Sequence, residues 1–147
     1  MTQNVNQFGM SLEKGVLALS KENIFNAKIN PGYVGTLTNA SAVKLAPSVA
    51  GSDIIVNGAT SNTDDVFGFI IYESAKNSYS AGDFVRIAST SSVMLMEAKT
   101  AVARGDSLEI TNDNRVDLLS AGGVLIGTSL DDAAAGGDLI RVLIKTK

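Results

Sequence analysis

Two pairs of adjacent carboxylates, Asp64-Asp65 and Asp131-Asp132, are the residues whose type best suits catalysis. Glycoside hydrolysis needs two carboxyl groups facing each other about 5 to 9.5 Å apart across a sugar cleft. Neighbours on an extended chain point to opposite faces, which works against that arrangement. Both pairs also stand in turn-like or capping surroundings, so capping and solvation account for them better. Asn112-Asp113-Asn114 with Asp117 is dense in oxygen ligands of the kind that hold calcium. It lacks the central glycine and final glutamate of the twelve-residue calcium loop, and a hairpin turn is the better account. Arg104-Gly105-Asp106 spells an adhesion tripeptide, but Gly-Asp recurs elsewhere in the chain and explains it as turn chemistry.

The residues that are missing narrow the chemistry further. The 147 residues contain no histidine and no cysteine. The usual general base near neutral pH is therefore missing, and so is the commonest transition-metal ligand. A Ser-His-Asp triad, a Cys-His pair, a His-ligated zinc and any disulfide are excluded. The expectation is a protein that is not an enzyme, with no cofactor, no metal and no small-molecule substrate. Twelve Lys and Arg stand against fifteen Asp and Glu, a net charge of -3, with the basic residues spread along the chain. Three tyrosines and five phenylalanines offer few stacking platforms, so nucleic acid is not an expected partner. The most apolar stretch, Leu118 to Leu130, is interrupted by Ser120, Gly122, Gly123, Gly127 and Thr128 and is too short to span a bilayer. Met1 to Gln7 lacks the basic start and apolar core of a signal peptide, which leads to the expectation of an unprocessed cytoplasmic product with no membrane partner.

The elements that would position these residues read as strands. An apolar fraction of 45% and a mean hydropathy of +0.18 suit one folded domain with a modest arm. The expected division is an N-terminal arm over 1–23 and a β-rich body over 24–147. In the arm Phe8, Met10 and Leu12 alternate with Gly9 and Ser11, as an extended segment with one apolar face does; Leu12, Val16 and Leu19 also fit helical spacing. Asn30-Pro31-Gly32 marks a turn. Val66 to Tyr72 predicts a strand buried on both faces, and Ser91 to Glu97 reads similarly. Met94 and Met96, like Phe67 and Phe69, lie two apart and should share a strand face in a core or interface. Ser107 to Leu119 predicts a hairpin, because Leu108, Ile110, Val116 and Leu118 alternate with polar residues around Asn112-Asp113-Asn114. The sequences AGDFVRI from Ala81, RGDSLEI from Arg104 and GGDLIRV from Gly136 repeat one pattern, a Gly-Asp turn feeding a strand. One short helix is expected over Ser129 to Ala135, with Ser129 as N-cap and Gly136 as its end, before a last strand at Leu139 to Lys145. Together these give an all-β fold, a compact β-sandwich or barrel with one short helix and an extended N-terminal arm.

Three stretches, SAGDFVRI, MEAKTAVARGDSLEI and GVLIGTSLDDAAAGGDLIRVLI, resemble the structural cement or capsid decoration proteins of tailed-phage heads. They cover about the last seventy residues; the Ser/Thr/Asn/Ala-rich run Thr36 to Thr63 matches less clearly and reads as a variable loop or added strands. The resemblance implies a β-tulip-like body of the lambda type, with a jelly-roll variant as the alternative. It implies a homotrimer bound to the major capsid protein on the outer surface of the expanded head, on a virion assembled in the host cytoplasm. Such a subunit stabilises the shell against internal DNA pressure through multivalent contacts. Phe8, Met10 and Leu12 are the candidate capsid contacts. The alternative is another virion module, a tail or fibre-attachment subunit. A hydrolase or carbohydrate-binding module acting through carboxylates alone is the third class, and no residue pattern supports it.

Overall fold

A computed structural model describes residues 14–16, 23–47 and 53–146. Among the described residues, ten strands make up two five-stranded units. β1 (Ile24–Ile29), β2 (Ala42–Leu45), β3 (Ile55–Gly58), β4 (Gly68–Ile70) and β5 (Phe84–Ala88) close into a barrel in the order β1-β3-β2-β4-β5. β6 (Val93–Glu97), β7 (Ser107–Ile110), β8 (Val116–Leu118), β9 (Gly127–Ser129) and β10 (Leu139–Ile144) form a second sheet in the order β6-β10-β9-β7-β8. The fold is all-β and compact, as the turn spacing predicts, and the Thr36 to Thr63 run supplies β2 and β3.

Strand alternation builds the barrel interior. Ala27 and Ile29 of β1, Val43 of β2, Val56 of β3, Ile70 of β4, and Val85 and Ile87 of β5 pack into one buried cluster, joined by Leu37 and Tyr79. β4 is buried on both faces. Ile70 points into the barrel, while Phe69 enters the second core with Met94, Met96, Leu108, Ile126, Ile140 and Val142. Met94 and Met96 share a face, as their spacing predicts. Phe67 parts from Phe69: it precedes β4, lies beside the barrel cluster and packs at a tilt against Phe25 with ring centroids 5.3 Å apart.

The hairpin forms as expected, β7 pairing with β8 through Leu108↔Leu118 and Ile110↔Val116. The Gly-Asp pattern is one physical device used three times. Gly82, Gly105 and Gly137 have φ of 85°, 94° and 95°, a region costly for any side chain. The aspartate that follows accepts a hydrogen bond from the backbone three residues upstream: Ser80 N to Asp83 at 2.9 Å, Ala103 N to Asp106 at 2.8 Å, Ala135 N to Asp138 at 3.3 Å.

The expected helix at Ser129 to Ala135 is not there, and the described residues contain no helix. Its backbone groups are taken by distant partners. Ser129 pairs with Val142 in the β9–β10 ladder, and Leu130 N donates to Arg141 O at 2.8 Å. Ala133 exchanges hydrogen bonds with Val102 at 2.9 and 3.0 Å, while Ala134 N and Ala135 N donate to Asp138. The capping types Ser and Asp serve turns here, because a ladder already claims the donors a helix would use.

Each edge strand of the second sheet is met by other backbone at one residue, Leu95 of β6 and Val116 of β8. Gly15 N donates to Leu95 O at 2.6 Å and Leu95 N to Val16 O at 2.9 Å, while Tyr72 N donates to Gly15 O at 3.0 Å. Residues 15 and 16 therefore sit between the outer edge of β6 and the chain leaving β4. Gly15 has φ 88° and a Cβ there would meet Ala40 N at 3.0 Å, so no other residue fits comfortably. At the opposite edge Ala98 bridges Val116 in parallel and Lys99 N donates to Val116 O at 2.8 Å.

Candidate functional site

Of the carboxylates singled out by type, Asp64, Asp131 and Asp132 bind nearby backbone and basic groups. Asp64 receives Lys44 Nζ at 2.8 Å, Thr60 N at 2.9 Å and Ser61 N at 3.1 Å. Burial alone would raise its carboxyl, but the Lys44 ammonium and the two amides outweigh burial and hold it below the ordinary range. Asp131 makes a two-pronged pair with Arg141, Nη2 at 2.7 Å and Nε at 2.9 Å, and also accepts Arg141 N at 2.9 Å. That arginine holds the Asp131 carboxyl well below its usual value. Asp132 accepts Arg104 N at 2.8 Å, so the adhesion-like tripeptide is tied into packed turn chemistry. Asp64 and Asp131 are held low, the reverse of the raised value that a general acid needs.

The calcium-like loop is likewise occupied by its own residues. Asp113 binds the Arg115 guanidinium and the Thr111 hydroxyl, which push its carboxyl far down. Asp117 accepts Thr100 Oγ1 at 2.6 Å and Leu118 N at 2.9 Å. Asn114, with φ 63°, makes the left-handed turn residue of the hairpin. No group of three or more carboxylate, cysteine or histidine side chains is placed to hold a metal ion among the described residues. Phe8, Met10 and Leu12 lie outside the described residues.

What the structure brings together is the seam between barrel and second sheet. Two polar clamps cross it. On one side Asn62, between β3 and β4, donates to Glu109 of β7 at 3.1 Å and to Ser120 Oγ at 3.3 Å, and its carbonyl accepts Val124 N at 2.7 Å. Ser120 adds its N at 3.1 Å and Oγ at 2.8 Å to the same Glu109 carboxylate. On the other side Asn114 reaches from the β7–β8 turn to Thr38 Oγ1 at 3.0 Å and Asn39 O at 3.4 Å.

Between the clamps runs a groove. One part, about 250 Å³, is floored by Phe69, Met96 and Ile110 and bordered by Tyr33, Thr60 and Asn112. A second part of about 380 Å³ continues past Ser61, Asn62 and Lys99, sharing Thr60, Ile110, Thr111 and Asn112 with the first. Sequence reasoning missed this region. Asn62 and Asn114 are ordinary turn residues by type, and Glu109 occupies an alternating polar position, yet it is 8% exposed. The available signal was a single charge inside a strand that stays buried only if something polar covers it.

No protein-family model matches the chain, and no curated protein matches it. Among solved structures, the head fiber gp8.5 N base in bacteriophage phi29 is similar, with a TM-score of 0.54 and 16% sequence identity. The match covers 86% of this chain and 98% of that one. The chain has the fold of that head-fiber base. The likeness spans both units, because 86% of this chain exceeds what either the barrel or the second sheet supplies alone.

Proposed function

We propose that this chain is a structural protein of a phage virion, seated on the head as the base or attachment module of a fibre. The observation that carries the reading is the near-complete coverage of the head-fiber base by this fold, 98% of its length. The molecule suits the role physically. Asp64, Asp83, Asp106, Asp131 and Asp138 are committed to turns and ion pairs and Glu109 to a clamp, and backbone from elsewhere in the chain meets both sheet edges, which suits a discrete subunit. On this reading its partner is the major capsid protein, its place is the outer surface of the head, and a trimer would match a local three-fold of the shell. No catalytic step belongs to it.

A second reading, decoration alone, rests on the three sequence stretches that resemble cement proteins. Their Gly-Asp turns and the final strand are packing features that either role uses, so the fibre-base reading is preferred. The test is co-sedimentation of the purified protein with heads that lack it and, separately, with tails. Saturable binding to heads in a fixed ratio to the capsid protein, with none to tails, is the expected result. Recruitment of a fibre subunit to heads only when this protein is present supports the base, whereas a gain in heat resistance of the heads without recruitment favours decoration. Binding to tails alone overturns both.

A further inference from the structure

We propose that the barrel wall left open by the second sheet docks onto an acidic protein surface of the head, Lys28 and Arg86 pairing with its carboxylates and Phe84 meeting an apolar side chain beside them. The proposal rests on the head-bound reading and adds the face used and the chemistry of its partner. Alternation turns Ala27 and Ile29 of β1, Val56 of β3, and Val85 and Ile87 of β5 into the barrel cluster. The residues between them therefore point outward. Register sets them in rows. Phe84, Lys28 and Ile55 lie side by side across β5, β1 and β3, and Arg86 lies beside Asn26 in the next row. Elsewhere the outside of the barrel is already used: Ala42 of β2, Phe69 of β4 and Ala88 of β5 are buried in the second core, to which β1 and β3 give no residue.

The wall holds an exposed ring and unpaired cations together. Phe84 is 64% exposed, and Lys28 Nζ lies 5.7 Å from its ring centroid. Lys44, Lys76, Arg115 and Arg141 each pair with a carboxylate, whereas Lys28 and Arg86 have no such partner among the described residues. Asp83, next to Phe84 in the chain, is taken by Lys76 and by Ser80 N. Two free cations beside an exposed aromatic ring call for anions and apolar cover at once. A protein surface with Asp or Glu next to an aliphatic side chain supplies both. Nucleic acid fits less well, because two cations neutralise few phosphates and the whole chain carries a net charge of -3. Strand addition does not apply, since β1 and β5 are paired on both sides in the closed barrel.

The test is co-sedimentation of the full chain with heads that lack it, at about 50 and 200 mM salt. Lys28→Gln combined with Arg86→Gln should weaken binding about tenfold at the lower salt and flatten its salt dependence. Phe84→Ser should weaken binding about tenfold at both salts. Arg104→Gln combined with Lys145→Gln, an equal loss of charge in the second-sheet half, should leave binding within about twofold, since neither residue lies on the wall. All these variants should keep the thermal midpoint of the unmodified chain, because the side chains changed lie at the surface. Wall variants that bind as tightly as the unmodified chain overturn the proposal and leave the head-bound reading standing, whereas no binding by the unmodified chain overturns both. Equal weakening by the wall pair and the control pair reduces the effect to net charge and overturns the proposal. Binding of a double-stranded DNA fragment that the wall pair abolishes assigns the wall to nucleic acid and overturns it too.

Discussion

The barrel and the second sheet are each five strands long, but they hold themselves together differently. The barrel closes hydrogen bond by hydrogen bond, β1 joining β5 in antiparallel and β3 in parallel register, and it encloses a core of its own residues. The second sheet has no such private interior. Its core takes in Ala42, Ala59, Val66, Phe69, Ile71 and Ala88 from the barrel half. The barrel therefore keeps its apolar residues buried through its own closure, whereas the sheet depends on the barrel's outer surface. The seam is where that dependence is settled, by Phe69 in the core and by Asn62 and Asn114 at the two sides.

Phe69→Ala should have the largest effect, because it empties the shared core: about 4 kcal/mol lost in denaturant unfolding. Hydrogen exchange should then fall off more in β6 to β10 than in β1, β3 and β5. Equal loss in both units would break the contrast. Ile29→Ala strikes the barrel's private core, and about 3 kcal/mol is expected, shared by both units because the sheet rests on the barrel. Loss of protection restricted to the barrel would show that the sheet stands alone.

Glu109→Ala removes the acceptor at one clamp and leaves Asn62 and Ser120 without their partner, for about 1–3 kcal/mol. Proteolysis should then cut first in 119–124. Asp106→Ala, which removes one Gly-Asp turn acceptor in the sheet, should cost about 1 kcal/mol, as loss of a comparable cap does. Lowering the pH should act on both units with the least selectivity. Backbone and lysine bonds at Asp83, and the Arg141 pair at Asp131, hold carboxyls below their ordinary 3.8 in the barrel half and the sheet half respectively. A lowered folded value means the stabilisation is fully present above 3.8 and is lost as pH falls below it. The thermal midpoint should be flat near neutrality and decline only in that acid window; a decline that begins near neutrality would rule out these carboxyls as its source.

Features with local causes were legible in the residues. The β7–β8 hairpin follows from alternation on both sides of a turn rich in Asn and Asp. The three Gly-Asp turns follow from a backbone position that excludes side chains and an aspartate within reach of an upstream amide. The two-sided burial of β4 follows from an unbroken apolar run. The misplaced helix had equally good local signals in Ser129, Asp131, Asp132 and Gly136, and they failed because Val142, Arg141 and Val102 compete for the same backbone groups. Phe67 and Phe69 show the same limit, since spacing of two implies a common face only where both residues belong to one strand.

The amino-acid order by itself determined an all-β chain without histidine or cysteine chemistry, punctuated by turns whose geometry glycine, aspartate and asparagine impose over a few residues. Tertiary structure alone decided the parallel pairing of β1 with β3, the closure of the barrel, the burial of Glu109 and the groove along the seam. These join residues tens of positions apart, such as Asn62 with Glu109 and Asn114 with Thr38. A polar residue far along the chain becomes a partner only after packing brings it near, and packing is a property of the whole set of apolar faces.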